Sequence, residues 1–136
     1  MKKVLFICTG NTCRSPMAQA LFNRYAQEHG IDAVADSAGI AAAPGMPASE
    51  NTILAMKEIG IDLSNHSAKA ISRSLLNSAD LIVCMSEGHA ELLKAAGYTS
   101  IVFGRGIPDP YGYDLEKYRI CRDRMYETMD TIVGKL

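Results

Sequence analysis

Near its beginning the chain contains the stretch Val4-Leu5-Phe6-Ile7-Cys8-Thr9-Gly10-Asn11-Thr12-Cys13-Arg14-Ser15-Pro16, which decides the fold. Residues 1–7 end in an apolar run rich in strand formers, and a Gly-Asn pair that favours a tight loop follows. Ser15 before Pro16 is typical of a helix N-cap with proline at the first helical position. Apolar side chains then recur at helical spacing, at Met17, Ala20, Leu21 and Tyr25. The stretch predicts a strand, a short loop and a helix.

A loop between a strand and a helix N-terminus is suited to bind an anion, because backbone N–H groups and the positive helix end converge there. Cys8 opens this loop and Arg14 closes it, with five residues between them. That length allows the loop to curl around a tetrahedral oxyanion while the guanidinium contacts two of its oxygens. The same positive field favours the thiolate of Cys8. Either residue alone would be a buried thiol or a surface cation, but together they indicate a nucleophilic phosphate site.

With this loop the sequence resembles the low-molecular-weight protein tyrosine phosphatase family. The resemblance covers nearly the whole chain and rests on five motifs, Cys8–Ala18, Asp36–Gly39, Gly60–His66, Asp80–Met85 and Asp109–Tyr111. It implies an α/β fold whose four-stranded parallel sheet has the order 2-1-3-4, with helices on both faces. It also implies a phosphocysteine mechanism carried by Cys8, Arg14 and Asp109. The residues implied to bind phosphate are Thr9, Gly10, Asn11, Thr12, Cys13, Arg14 and Ser15.

Apolar strands alternate with helical periodicity along the rest of the chain, which independently predicts a parallel sheet with right-handed crossovers. Beyond residues 1–7, strands are predicted over residues 32–37, 81–85 and 99–103. Helices are predicted up to Gly30, over residues 52–59, after Ser72 and from Ser86 to Gly97. A single long amphipathic helix is predicted from Leu115 to Ile132, with Arg122 interrupting its apolar stripe.

Composition narrows the class of protein. The 136 residues are 48% hydrophobic and suit one domain, residues 1–136. The net charge of −1 does not indicate a basic surface that would bind nucleic acid. No apolar run is long enough to span a membrane. Four cysteines without dense spacing fit a reducing compartment. We therefore expect a cytoplasmic, monomeric protein without a cofactor or a metal ion.

Asp109 is assigned by the resemblance alone. Asp109-Pro110 is by itself a common way to open a turn. The resemblance implies that Asp109 is the general acid that protonates the leaving group and then the general base for the attacking water. Tyr111 would form an aromatic side wall of the pocket, or else only cover the edge of the core.

Polar residues around Asn11 are expected to support the loop. Asparagine tolerates the left-handed conformation that a loop of inward-pointing amides needs. The resemblance implies that Ser37 and His66 brace it from behind, although for His66 an ordinary surface or core histidine remains an alternative. Ser15, besides its expected capping role, is able to hydrogen-bond the Cys8 thiolate.

The other three cysteines are expected to differ in role. We interpret Cys13 as a resolving thiol that forms a disulfide with Cys8 after oxidation, the alternative being a plain loop residue. Cys84, within an apolar strand, and Cys121, in the long helix, are expected to be structural.

Thr12 bears on the substrate. Tyrosine-type members of the family usually carry an aliphatic residue here, whereas the protein-arginine phosphatase branch that this chain resembles carries threonine. A hydroxyl in the pocket wall suits a polar guanidinium better than a phenyl ring. Ser86, where tyrosine-type members commonly have aspartate, and His89 point to the same branch. We expect a phosphatase of phosphorylated proteins that prefers phosphoarginine, with phosphotyrosine as the alternative.

A third candidate is an arsenate reductase, which uses the same oxyanion loop and passes oxidation along a relay of cysteines. Such a relay needs a closely spaced downstream cysteine pair. Cys84 has no cysteine partner before Cys121, so the sequence disfavours this activity.

Overall fold

Strands and helices alternate along the 136 residues, Met1–Leu136, that the computed structural model describes. The strands are β1 (Lys2–Cys8), β2 (Ala33–Gly39), β3 (Leu81–Cys84) and β4 (Ile101–Val102). The helices are α1 (Arg14–His29), α2 (Glu50–Lys57), α3 (Arg73–Ser78), α4 (Glu87–Ala95), α5 (Leu115–Glu127) and α6 (Met129–Val133). None of these helices is both long and apolar enough to cross a membrane.

The four strands form one parallel sheet in the order β2-β1-β3-β4, which confirms the predicted fold class. The chain passes from β1 to β2 on one side and returns to β3 on the other side of β1. In such sheets a crevice opens at the carboxyl ends of the strands where this reversal occurs. Cys8, the last residue of β1, lies at that point and pairs with Gly39 at the end of β2.

Successive side chains of β1 enter two different cores, because neighbouring residues of a strand face opposite sides of the sheet. Val4, Phe6 and Cys8 pack against apolar residues of α1, α2, α5 and α6. Leu5 and Ile7 belong to a smaller cluster that also contains residues of α3 and α4. The central strand is therefore covered on both faces, and its end is held rigidly where the β1–α1 loop, residues 9–13, begins.

The start of α1 differs from the sequence-based prediction. The helix begins at Arg14, with Cys13 at the N-cap position and no side-chain capping bond. Ser15 and Pro16 occupy the second and third helical positions, so the prediction of a serine cap was wrong. The Ser15 hydroxyl instead lies 2.7 Å from Cys8 Sγ, and the first-turn N–H groups remain free of a side-chain cap.

The C-terminal segment is two helices and not one. The Thr128 backbone leaves helical geometry (φ −109°, ψ 8°), and its hydroxyl donates to the carbonyls of Arg124 and Met125. Such local bonds compete with the helical ladder, so α5 ends there and α6 follows at a break. The predicted single helix was therefore wrong.

Arg122 is part of the buried face of α5 and does not interrupt it. Its side chain is 9% exposed and donates to the carbonyl of Ala55 at 2.7 Å and to Glu58 at 2.9 Å. Burial of a guanidinium is tolerated when acceptors meet it, and here the acceptors lie at the C-terminal end of α2. Arg122 thus joins α5 to α2.

The last strand is shorter than predicted. β4 contains only Ile101–Val102, although the Phe103 N–H still donates to the Cys84 carbonyl at 2.7 Å. Beyond Phe103 the chain leaves the sheet and forms the β4–α5 loop, residues 103–114, which carries Asp109 back over the end of β1.

Candidate active site

A pocket of about 440 Å³ opens at the carboxyl end of β1. It brings together residues from the β1–α1 loop and the β4–α5 loop that lie about a hundred positions apart in the sequence. The lining residues are Cys8, Thr9, Gly10, Thr12, Cys13, Arg14, Asp109 and Tyr111. All of these are among the residues that the sequence analysis singled out.

The carbonyl groups of the β1–α1 loop point outward, because donors from surrounding segments bind them. The Cys8 and Thr9 carbonyls accept from the N–H groups of Ile40 and Ala41, both at 2.9 Å. The Thr12 carbonyl accepts from the Ser49 N–H, also at 2.9 Å. In a trans peptide the C=O and the following N–H point in opposite directions. The N–H groups of residues 9, 10 and 13 are therefore turned towards the pocket, where they form an anion cradle.

Asn11 stabilises the tightest bend of this loop. Its φ of +56° is the only positive value at a non-glycine residue, which a short polar side chain tolerates. The side-chain amide donates to the hydroxyls of Ser15 and Ser37, both at 2.9 Å, and accepts the Lys69 N–H at 3.0 Å. The Asn11 carbonyl lies 2.7 Å from His66 Nε2. Since a carbonyl only accepts, that ring nitrogen carries the hydrogen.

Two contacts of this network had no signal in the sequence. The Ser37 hydroxyl passes its own hydrogen to Gln19 Oε1 at 2.6 Å, and Lys69 contributes only its backbone N–H. A backbone donor carries no residue-type signature, and Gln19 has the appearance of an ordinary polar helix position. The structure thus places Ser37 and His66 against Asn11, together with these two residues.

Gly39 lies where β2 passes closest to the loop. A Cβ atom at this position would be 2.5 Å from the Thr9 carbonyl oxygen and 3.0 Å from the Asn11 nitrogen. The glycine therefore allows the backbone of β2 to support the loop directly, and its own N–H and C=O are bonded to Lys69 and Ile71.

The Cys8 sulfur is surrounded by donors. The Asn11 N–H donates to Sγ at 3.2 Å, and the Ser15 oxygen lies 2.7 Å away. Because Ser15 Oγ already accepts from the Asn11 amide, its hydrogen is free to point at Cys8. Two donors are therefore aimed at one buried sulfur, and hydrogen bonds to a charged acceptor are stronger than those to a neutral one.

Arg14 and Asp109 meet at the mouth of the pocket. Arg14 Nη2 lies 3.4 Å from Asp109 Oδ2, and Arg14 Nη1 donates to the Met85 carbonyl at 3.3 Å. The Tyr111 N–H donates to the other Asp109 oxygen at 3.1 Å, so a local turn orients the carboxylate. Its half-exposed position leaves it accessible to a leaving group.

The outer walls of the pocket differ in character. Tyr111 is 73% exposed and stands at the rim. Thr12 is half-buried, and its hydroxyl lies 3.8 Å from Cys13 Sγ. The wall that Thr12 contributes therefore carries a hydroxyl beside the Cys13 thiol.

Cys13 contacts two residues that the sequence analysis missed. Its thiol donates to the Ser49 hydroxyl at 3.5 Å and lies 3.6 Å from the Tyr118 hydroxyl. Burial, together with the hydrogen bond to Cys13, raises the pKa of Tyr118 to about 12. Ser49 caps α2 by accepting the Thr52 N–H. All four cysteines of the chain are free thiols.

Comparison with known proteins identifies the family. The model of the low molecular weight phosphotyrosine protein phosphatase family matches residues 3–136. The chain belongs to this family. Its members named in the comparisons are protein phosphatases that use a cysteine, so the chain is a cysteine-dependent protein phosphatase.

Relatives within and around the family carry different activities in their names. The chain is 33% identical to the protein-arginine-phosphatase of Bacillus subtilis, over 98% of this chain and 95% of that protein. It is 40% identical to a probable low molecular weight protein-tyrosine-phosphatase, EpsP, of Ralstonia solanacearum, over 100% and 97%. An arsenate reductase of Brevibacillus brevis is 37% identical over 91% and 88%. Sequence identity alone therefore does not decide which of these activities this chain has.

A solved structure bears on the chemistry. It is a cysteine-to-serine mutant of the YwlE arginine phosphatase with a phosphorylated active site serine. That structure superposes with a TM-score of 0.89 at 31% identity, covering 98% of this chain and 95% of that one. In that protein the residue replacing the active-site cysteine carries the phosphoryl group.

Proposed function

We propose that this phosphatase hydrolyses phosphoarginine in proteins through a phosphocysteine intermediate at Cys8. The observation that supports it most is the arrangement of one pocket in which a buried sulfur, a cradle of N–H groups and the Arg14–Asp109 pair converge. The pocket holds both the Cys8 sulfur and the Asp109 carboxylate, the nucleophile and the proton donor that displacement at phosphorus needs close together.

In the first step the Cys8 thiolate attacks phosphorus and the P–N bond of phosphoarginine breaks. The loop N–H groups and the Arg14 guanidinium hold the phosphoryl oxygens, where negative charge concentrates. Asp109 gives its proton to the departing guanidine nitrogen, which leaves as a guanidinium. The Ser15 hydroxyl stabilises Cys8 whenever the sulfur is anionic.

In the second step a water molecule attacks the phosphocysteine. Asp109, now a carboxylate, takes the proton of this water. The S–P bond breaks, inorganic phosphate forms and the thiolate of Cys8 is restored, so no external reductant or cofactor is consumed.

Thr12 supports arginine as the preferred substrate. Its hydroxyl lies in the pocket wall, where an accepting oxygen suits the N–H groups of a guanidine, and a site built for such a bond discriminates strongly against ligands that lack it. The second candidate is phosphotyrosine, which the exposed ring of Tyr111 at the rim favours, because it offers a surface for stacking a phenyl group.

Hydrolysis of matched peptides that carry either phosphoarginine or phosphotyrosine distinguishes the two substrates. We expect a higher kcat/KM for phosphoarginine, and the Thr12→Ile variant should shift the ratio towards phosphotyrosine by about tenfold, the value of one lost polar contact in a pocket. An unchanged ratio would remove the role that we assign to Thr12.

Arsenate reduction is disfavoured by the positions of the remaining cysteines. Cys84 lies in β3 and donates to the Ser100 hydroxyl at 3.4 Å, and Cys121 is fully buried in α5. Burial raises the pKa of the Cys84 thiol, and it raises that of Cys121 to about 12. Both thiols therefore stay protonated and are poorly suited to relay oxidation.

The redox role of Cys13 and the cellular setting remain proposals from the sequence. Cys13 lies in the same pocket as Cys8, which is consistent with a thiol that traps an oxidised Cys8. The four free thiols are consistent with a cytoplasmic enzyme, and phosphorylated proteins are its expected partners.

A further inference from the structure

A buried histidine on α4 contacts the first residue of the β1–α1 loop. His89 Nε2 lies 2.8 Å from the Thr9 hydroxyl, and the backbone N–H of His89 is bound by the capping hydroxyl of Ser86. The other ring nitrogen, Nδ1, is buried without a hydrogen-bond partner and is the only side-chain nitrogen or oxygen in the molecule in that state. A polar atom left in this way needs an explanation.

We propose that His89 is a positioning residue of the phosphatase, which holds the Thr9 side chain and through it the opening turn of the β1–α1 loop. Thr9 has few other restraints, because its side chain is exposed at the pocket. Its carbonyl is bound by the Ala41 N–H. With the hydroxyl bound by His89 as well, both the backbone and the side chain of Thr9 are fixed.

The unpartnered nitrogen indicates which form of the imidazole does this. Buried N–H groups without an acceptor are rarer than unpaired acceptors, so we place the single hydrogen of a neutral ring on Nε2. Nε2 then donates to Thr9 Oγ1, and Thr9 keeps its own O–H free towards the pocket. A phosphoryl oxygen in the cradle is an acceptor for that O–H.

A protonated imidazole does not fit the same place. Protonation would add a buried N–H on Nδ1 that has no acceptor, at a cost comparable to a lost hydrogen bond. Burial and the charge of Arg14 lower the pKa of His89, while Asp109 opposes the shift. The carboxylate of Glu87, on the same helix, forms an ion pair with the guanidinium of Arg105. The ring is therefore neutral at neutral pH and becomes cationic only in acid.

Residues 85–89, which connect β3 to the first turn of α4, thus contact both Thr9 at the start of the loop and Arg14 just after its end. Met85 binds Arg14 through its carbonyl, and His89, four residues later, binds Thr9. The two contacts fix the guanidinium and the opposite side of the cradle relative to each other, which the transfer of a phosphoryl group requires.

The test is a double-mutant cycle between Thr9→Val and His89→Leu, in which kcat/KM for p-nitrophenyl phosphate is measured for the wild type, both single variants and the double variant. Each single variant should lose about three- to tenfold, the range for one hydrogen bond, and the double variant should lose no more than either. His89→Gln, which keeps an N–H donor, should recover most of the activity. His29→Gln, a histidine at the exposed end of α1, is the matched control and should be unaffected.

The second measurement is the pH profile of p-nitrophenyl phosphate hydrolysis by the wild type and His89→Gln. As the pH is lowered, protonation of His89 should reduce the wild-type kcat/KM further, whereas the glutamine of the variant does not titrate. The ratio of the wild-type kcat/KM to that of His89→Gln should therefore fall in acid. Losses that add in the double variant, or a ratio independent of pH, would overturn the proposal. Because neither readout uses phosphoarginine, a failure of the arginine preference leaves both results interpretable.

Discussion

Substituting Gly39 by alanine should damage the active site although Gly39 itself does not line the pocket. The new Cβ would lie 2.5 Å from the Thr9 carbonyl oxygen, 2.9 Å from Ala42 Cβ and 3.0 Å from the Asn11 nitrogen. Two of the three obstructing atoms belong to the backbone, which cannot rotate away as a flexible side chain does.

The size of the effect follows from these distances. Carbon–oxygen contacts of about 3.3 Å are already close, so the separation from the Thr9 oxygen has to grow by about 0.8 Å. Gly39 cannot supply this movement freely, because its N–H and C=O are bonded to Lys69 and Ile71. The loop must therefore shift by several tenths of an ångström.

Overpacking of this kind costs about 1–3 kcal/mol of stability. A displacement approaching 1 Å at a catalytic cradle lowers activity by about 100-fold. We expect Gly39→Ala to fold, with a reduced free energy of unfolding in urea, and to lose about 10- to 100-fold in kcat/KM for p-nitrophenyl phosphate.

Gly88→Ala is the matched control. A Cβ at Gly88 meets only the Ser86 hydroxyl, at 3.8 Å, and the position is exposed within α4. Alanine should stabilise the helix by up to about 1 kcal/mol and leave kcat/KM unchanged. If Gly39→Ala retains kcat/KM within threefold of the wild type, the backbone of β2 does not support the loop and the explanation for Gly39 is wrong.

Two further predictions concern the nucleophile and a surface ion-pair network. Cys8→Ser should reduce kcat by at least about 1000-fold with an unchanged melting temperature, since a serine oxygen accepts the same two hydrogen bonds; a kcat within about tenfold of the wild type would contradict the role of Cys8. Glu58→Gln should lower the free energy of unfolding at pH 7, because hydrogen bonds from Arg119 and Arg122 hold the pKa of Glu58 at about 2, below its ordinary 4.5. That stabilisation is complete above pH 4.5 and disappears as the pH falls through 2, so the difference between wild type and variant in urea unfolding should narrow over this range. A difference that stays constant would show that the pairing contributes nothing.

Much of the fold could be predicted because its signals are local. The apolar runs of β1 and β3 and the serine caps of α3 and α4 each depend only on residues that are close in sequence. Two of the errors arose where a side chain found a partner outside its own helix. Ser15 was predicted to cap a helix, but its hydroxyl is bound at Cys8. Arg122 was predicted to interrupt an apolar stripe, but α2 offers it a carbonyl and a carboxylate.

The sequence by itself determined the strand, loop and helix around Cys8 and Arg14, because five residues between them leave the chain few other ways to turn. Only the tertiary structure decided which groups surround that loop. Asp109 meets Arg14 across 95 positions of sequence, and His89 meets Thr9 across 80. Contacts over such separations depend on the order of the strands and on where each crossover ends, and no spacing within the sequence encodes them.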